Sequence, residues 1–342
     1  MTTGSRISDP EATVLMPVWN GEKYIRDAVE SILCQTRGDY EFIIIDDGST
    51  DGSAGIVSSF TDARIRFLRH EHHAGLAQRL NEGLDMARGA FVARMDCDDI
   101  SLPARLEKQL HLLRSSPETG VCGTWVQTIG STHATVWQYP VGHDAIKAGM
   151  IFGPALAHPT VMLRSDTLRR HRLRYSTDCE AAQDYEFWMR CIRHTRFANI
   201  PEVLLRYRLH EQQRGKTHKG RQIDTLHRVW DGLFDSLGAQ PGEAERTVHE
   251  ALALWRFEPG PEFLHRATAW LEKLCRCNRQ SGMFAEPVFS QVLAGRWLEL
   301  LRHSTGTGAL KAFVRSPLRG CLRLGRRQKL AFALRCIVKR HG

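Results

Sequence analysis

The sequence predicts an α/β protein: a mainly parallel central sheet flanked by helices, with a helical region after it. Three observations predict this. Short, continuously apolar runs alternate with segments of helical period through the first hundred residues. Such runs mark strands buried on both faces and joined by crossover helices. Beyond about residue 216 the strand signal stops and only helical periodicity remains.

The elements follow in order. "ATVLMPV" (12–18) reads as a strand that gives way at Pro17 to the loop "WNGE". In "EKYIRDAVESILCQT" (22–36), Tyr24/Ile25, Ala28/Val29 and Ile32/Leu33 recur at helical spacing. "EFIIID" (41–46) is a second buried strand. The turn residues of "DDGSTDGSAG" break it and restart a helix, with Ser49, Thr50 or Asp51 as the expected cap. "RIRFLRH" (64–70) alternates as a strand, "GLAQRLNEGLDMARG" (75–89) is a helix expected to stop at Gly89, and "AFVARMD" is a strand. Further on come a helix after Pro103, a hairpin from "GVCGTWVQTIG" and "ATVWQYP", a strand and helix in "HPTVMLRSDTLRRHRL", a helix in "AAQDYEFWMRCIRHT", and a strand in "ANIPEVLLRYRLHEQQRG". The expected organisation is a sheet-bearing domain over 1–215, a helical region over 216–305 and a basic tail over 306–342.

Net charge is +9, from 47 Lys and Arg against 38 Asp and Glu. Residues 309–342 hold ten of those bases and no acid, which leaves 37 against 38 elsewhere. The excess therefore belongs to the tail, as suits an anionic partner. The nine cysteines are scattered, with no Cys-x-x-Cys pair, so neither zinc nor a disulfide framework is expected. No secretory signal pattern and no run of about 18 apolar residues is present, so a cytoplasmic chain is expected.

Ligands of parallel sheets bind beyond the carboxyl ends of the strands. There the sequence places "PVWNG", "DDGSTD" and "DCDD". Asp96-x-Asp98 offers hard oxygen donors with no Cys-x-x-Cys pair beside them, which suits Mg²⁺ or Mn²⁺ held together with substrate phosphates. Capping of the next helix is the plain alternative. Asp46 and Asp47 end a second strand, and acidic clusters at two strand ends favour a ligand site, Asp47 more than Asp46. Trp19 beside Asn20 can stack on a nucleobase or simply pack in the core. Asp184 and Glu186 open a helix, with Asp178 and Glu180 just upstream, and each could serve as a proton acceptor or as a cap.

Six co-linear segments, "VLMPVWNGEKYIRDAVESILCQT", "EFIIIDDGSTDGS", "GLAQRLNEGLDMARGAFVARMDCDDISLPARLEKQ", "HPTVMLR", "QDYEFWMR" and "YRLHEQQ", resemble family 2 glycosyltransferases, in the bacterial branch that builds surface polysaccharides. The resemblance spans residues 11–215. It implies a GT-A fold, a nucleotide-diphospho-sugar donor with UDP as the expected carrier, a divalent metal, a glycan or lipid-linked acceptor, and inversion at the anomeric carbon. It also implies roles. Pro17, Trp19 and Asn20 look like the uridine-binding segment, with Trp19 where the family usually has Tyr. Asp47 resembles the residue that reads the base edge, and Asp46 its structural neighbour. Asp96 and Asp98 resemble the DxD pair, Asp98 as the direct metal ligand and Asp96 nearer the ribose or the metal's waters. Asp99 is left as a cap or hydrogen-bonding neighbour of the following loop. Asp184 matches the general base, although the usual preceding Glu is Gln183 here. His158 and His210 match positions that approach the diphosphate or metal, a satisfied buried histidine being the ordinary alternative for each.

"RRQKLAFALRCIVKRHG" (326–342) has the spacing of an amphipathic helix. With the rest of 309–342 it suggests peripheral attachment to the anionic inner face of the plasma membrane. Nucleic acid is not an expected partner, because the aromatic side chains are not interleaved with the Lys and Arg residues as stacking platforms would require. A nucleotidyltransferase would need a Gly-rich phosphate loop, which "VLMPVWNGEKY" lacks.

Overall fold

The computed structural model describes residues 9–179, 181–210, 219–258, 260–304, 307–322 and 325. They cluster into two compact units, one of residues up to 146 with 154–226, the other of 147–153 with residues from 227 onward.

In the first unit β1 (Ala12–Val18), β2 (Tyr40–Asp46), β3 (Ile65–Arg69) and β4 (Phe91–Arg94) run parallel in the order β3-β2-β1-β4. Every residue of β1 and β2 is buried, which is why their sequences are apolar without alternation. Pro17 is tolerated in this central strand because β4 pairs only with Ala12–Leu15, so the missing N–H costs no ladder bond on that side. The crossovers carry α1 (Ile25–Leu33), α2 (Ser53–Ser58) and α3 (Leu76–Met86).

The rest of the sheet is mixed. After β5 (Ile100–Ser101) and α4 (Arg105–Ser115) come β6 (Thr119–Ile129), β7 (Val136–Trp137) and α5 (His143–Gly149). Then come β8 (Met162–Arg164), α6 (Ser165–Arg170), α7 (Gln183–Cys191) and β9 (Arg196–Arg208). β8 lies antiparallel between β4 and β6, β9 runs parallel to β6, and β5 closes the far edge antiparallel to β9. The hairpin expected from the sequence is β6 with β7.

Two sequence expectations change. The cap of α2 is Gly52; Asp51 instead accepts the Ser53 N–H at 3.0 Å from one residue further out. Gly89 does not end α3, which stops at Met86. A Cβ there would sit 2.4 Å from the Thr13 nitrogen, so its role is to let the turn lie flat on β1.

The second unit holds α8 (Lys219–Leu237) from His227 onward, with α9 (Glu243–Ala253), α10 (Pro261–Ser281), α11 (Val288–His303), α12 (Thr307–Arg315) and α13 (Leu318–Cys321). Its core includes His249, which accepts the Trp270 indole N–H at Nδ1 and donates from Nε2 to the Ile151 carbonyl at 2.9 Å. Burial pushes its pKa down to about 3, so it stays neutral. Residues 307–322 pack as helices: Phe313 stacks on Trp297 and Ser316 donates to Glu272. The amphipathic segment 326–342 lies outside the described residues. No described helix is long and apolar enough to cross a membrane.

Candidate active site

Because β2, β1 and β4 are neighbours, their C-terminal loops converge. Asn20 sits in the left-handed region (φ 50°), which a short amide side chain tolerates. Its Oδ1 accepts the Thr50 N–H at 2.9 Å, and its own N–H donates to Ser49 Oγ at 2.9 Å. Gly21 N–H donates to Ser53 Oγ and Glu22 N–H to Asp51 Oδ2. The two loops are thus zipped together, with Pro17 buried beneath and Trp19 left 49% exposed above.

Asp47 organises the next loop along. Its Oδ1 accepts from Ala74 N–H (2.8 Å) and Arg79 Nε (2.6 Å). Its Oδ2 accepts from Gly75 N–H (2.9 Å) and lies 2.8 Å from His73 Nδ1. Gly48, at φ 73°, lets the 72–73 backbone approach to within what would be 2.8 Å of a Cβ. The His73 ring then leans on Trp19, with centroids 4.5 Å apart. Asp46 accepts from Ser49 N–H and keeps one buried oxygen without a hydrogen bond, 3.6 Å from Arg69 Nε. Of the pair, Asp47 is the more heavily engaged.

The three carboxylates after β4 are held apart by separate donors. Arg94, itself buried, grips Asp96 with both ends of its guanidinium. His210 Nε2 donates to Asp98 Oδ2 at 2.8 Å. Asp99 accepts the Arg208 N–H at 2.8 Å, and Arg208 Nε donates to the Asp98 carbonyl. Tyr24 backs this side, its ring tilted against His210 at 5.3 Å between centroids and lying under the Arg208 guanidinium. Asp99 therefore belongs to the cluster and bonds to β9, not to the loop that follows it. Burial and the charges of Asp96 and Asp98 hold its carboxyl well above the usual range, and its second oxygen has no hydrogen-bond partner among the described residues. Oxygens of Asp96, Asp98 and Asp99 all lie within 4.8 Å of one another. An all-oxygen donor set with one orphaned buried oxygen fits a hard divalent ion. Cys97 fits no role: burial pushes its thiol far up.

The charge of Arg94 also reaches His158 and Asp184. His158 is buried against Trp188, with Nε2 2.9 Å from the Tyr175 hydroxyl. Burial and Arg94 push its pKa well down, so it is neutral. Asp184 is half-buried in the first turn of α7, and burial raises its pKa against the pull of the Tyr185 N–H and Arg94. Glu186 is tied to Arg190 at 2.6 Å, so Asp184 is the freer acceptor of the two. Asp178 is exposed, and Glu180 lies outside the described residues.

Sequence reasoning passed over Arg79, Arg94 and Arg105. Each had a signal: a cation on the apolar face of its helix or inside a buried strand. Arg105 donates to the Pro159 and Arg94 carbonyls, which fixes the turn that carries His158 against the end of β4.

The model of glycosyl transferase family 2 matches residues 13–178. An uncharacterized glycosyltransferase of Haemophilus influenzae is 32% identical over 232 residues, covering 64% of this chain and 72% of its own. The chain belongs to glycosyl transferase family 2. The O-antigen biosynthesis glycosyltransferase WbnJ of Escherichia coli is similar to this glycosyltransferase at 32% identity, over 60% of this chain and 82% of its own. Among solved structures, that of Staphylococcus aureus TarS (residues 1–349) in complex with UDP-GlcNAc aligns at a TM-score of 0.59 with 16% identity, covering 85% of this chain and 89% of that one. The GT-A fold of the glycosyltransferase is the one expected from its sequence.

Proposed function

We propose that the enzyme moves a sugar from a nucleotide-diphospho-sugar, with UDP as the carrier, to a hydroxyl of a glycan or lipid-linked acceptor, inverting the anomeric centre. The observation that carries this is that one buried arginine, Arg94, serves two kinds of carboxyl. It grips Asp96 beside Asp98 and Asp99, a set suited to a cation, and its charge reaches half-buried Asp184, whose pKa is raised. The name of the O-antigen relative supports a place in surface polysaccharide synthesis.

Asp98 and Asp96 would hold a divalent ion, Mg²⁺ or Mn²⁺, with His210 orienting Asp98, and the ion would neutralise charge on the leaving diphosphate. The Trp19–His73 pair offers an aromatic face to the base above the Asp47 anchor. Asp184 accepts the proton of the acceptor hydroxyl as its oxygen attacks the anomeric carbon. The new carbon–oxygen bond forms on the face opposite the bond to the diphosphate, which breaks in the same displacement. His158, neutral and fixed by Tyr175, lines the site without adding charge.

The test is donor hydrolysis across UDP-, GDP- and dTDP-sugars with Mn²⁺ or Mg²⁺. Turnover with one nucleotide class and a divalent ion is expected. Turnover unaffected by chelation would remove the metal from the scheme.

A further inference from the structure

Two basic segments separated by residues 175–189 meet on the surface of the sheet-bearing unit. Residues 168–174 read Leu-Arg-Arg-His-Arg-Leu-Arg, and residues 190–196 read Arg-Cys-Ile-Arg-His-Thr-Arg. The His171 and His194 rings stack, with centroids 4.3 Å apart and planes 19° from parallel. On the flanks, Arg170, Arg174 and Arg190 are each neutralised, by Asp166, Asp85 and Glu186. Arg169, Arg172, Arg193 and Arg196 are exposed, and among the described residues none of them pairs with a carboxylate. The chain thus gathers four uncompensated guanidiniums around an imidazole stack.

The backbone reinforces this. Arg172 follows α6 at φ 50°, and the Leu173 N–H closes back on the Leu168 carbonyl at 2.9 Å. That helix-ending position normally takes glycine. An arginine there accepts strain and places a charge at the surface.

We propose that this patch docks the enzyme on the phosphate headgroups of an anionic bilayer. Guanidinium forks match phosphate oxygens two at a time. Among the described residues the large apolar side chains that are exposed, Trp19, Val136, Trp137, Val141, Trp255 and Val314, all lie outside both segments. The contact is therefore electrostatic adsorption rather than insertion. Single-stranded nucleic acid would need aromatic platforms that the patch lacks. Base-specific reading of a duplex needs a helix or β-ribbon in a groove, and α6 has only six residues; duplex held through its phosphates alone is tested by the DNA competition below. The proposal is independent of the transfer chemistry, and its readout is binding.

The experiment is co-sedimentation of the full chain with phosphatidylcholine vesicles, with and without about 30% phosphatidylglycerol. Wild type should bind only the anionic vesicles and be released as salt rises from about 0.1 M to 0.5 M. Combining Arg169→Gln, Arg172→Gln, Arg193→Gln and Arg196→Gln should weaken binding at least about tenfold. The same four sites changed to Lys should keep most of it. Lys311→Gln with Arg315→Gln and Arg319→Gln, in the basic tail, should cost less than the quadruple Gln variant. Hydrogen exchange on the wild type should slow at 168–174 and 190–196 when anionic vesicles are added. The proposal is overturned by wild type ignoring phosphatidylglycerol, by unchanged exchange in both segments, by a folded Gln variant that binds as wild type, or by DNA displacing the vesicles.

Discussion

Arg79 Nε lies 2.6 Å from Asp47 Oδ1, and both side chains are almost wholly buried. A carboxylate just past a strand end and a cation on α3 thus fix the 72–75 loop, and with it the ring of His73 against Trp19. Removing one partner of a buried pair leaves an uncompensated charge, at a cost of about 3–5 kcal/mol. Arg79→Ala should lower the urea midpoint accordingly and weaken donor binding. An unchanged midpoint would show that the pair does not hold the loop.

Asp184→Asn keeps the shape of the side chain and removes its basicity. Transfer should fall by about two to four orders of magnitude, with donor affinity by calorimetry unchanged. Near-wild-type turnover would mean that another group accepts the proton. Glu186→Gln, which breaks the bond to Arg190, should cost far less activity.

The raised pKa of Asp184 has two consequences of opposite sign. Catalysis needs the carboxylate, so transfer should fall as pH drops through that raised value, above the usual aspartate range. Stability runs the other way. The folded state holds this proton more tightly than the unfolded chain, so Asp184 loses stability as pH rises from its unfolded pKa to its folded one. Asp184→Asn should therefore be more stable than wild type at neutral pH and equal to it below about pH 3, the unfolded pKa being near 3.9. Denaturation curves at both pH values check this.

The clustered oxygens of Asp96, Asp98 and Asp99 predict weak ion binding until a diphosphate shares the ion. Mn²⁺ titrated by calorimetry should bind at least about tenfold more tightly with UDP present, a coupling within the usual 1–3 kcal/mol range. Asp98→Ala should abolish that gain, and chelation should stop turnover. Equal Mn²⁺ affinity with and without UDP would refute the shared site.

Gly89 lies where a Cβ would meet the backbone of Thr13 and Ala12 rather than a movable side chain. Gly89→Ala should therefore cost at least about 1–3 kcal/mol, read as a lower urea midpoint. A neutral effect would mean that the turn can lift off β1.

The parallel half of the sheet was legible because β1 and β2 are buried on both faces, and a short unbroken apolar run between turn residues suits a strand covered on both sides. That Asp96 and Asp98 would cluster was legible because they stand one residue apart at a strand end. Arg79 and Arg94 were harder, since a single cation in an apolar stretch does not reveal its partner. Asp99 went astray because its partner, the Arg208 N–H, is supplied by β9, more than a hundred residues later. The antiparallel place of β8 had no local signature, since a strand of three residues reads the same whichever way it runs.

By itself, then, the sequence determined the α/β class, the family resemblance and the strand ends that bear carboxylates. These follow from local hydrophobic period and residue chemistry. Only the tertiary structure decided which oxygen is satisfied and which is orphaned, which histidine faces which acid, and that two arginine-rich segments share one surface. Those depend on distances between residues remote in sequence, and such distances arise only when sheet order and packing bring the segments together.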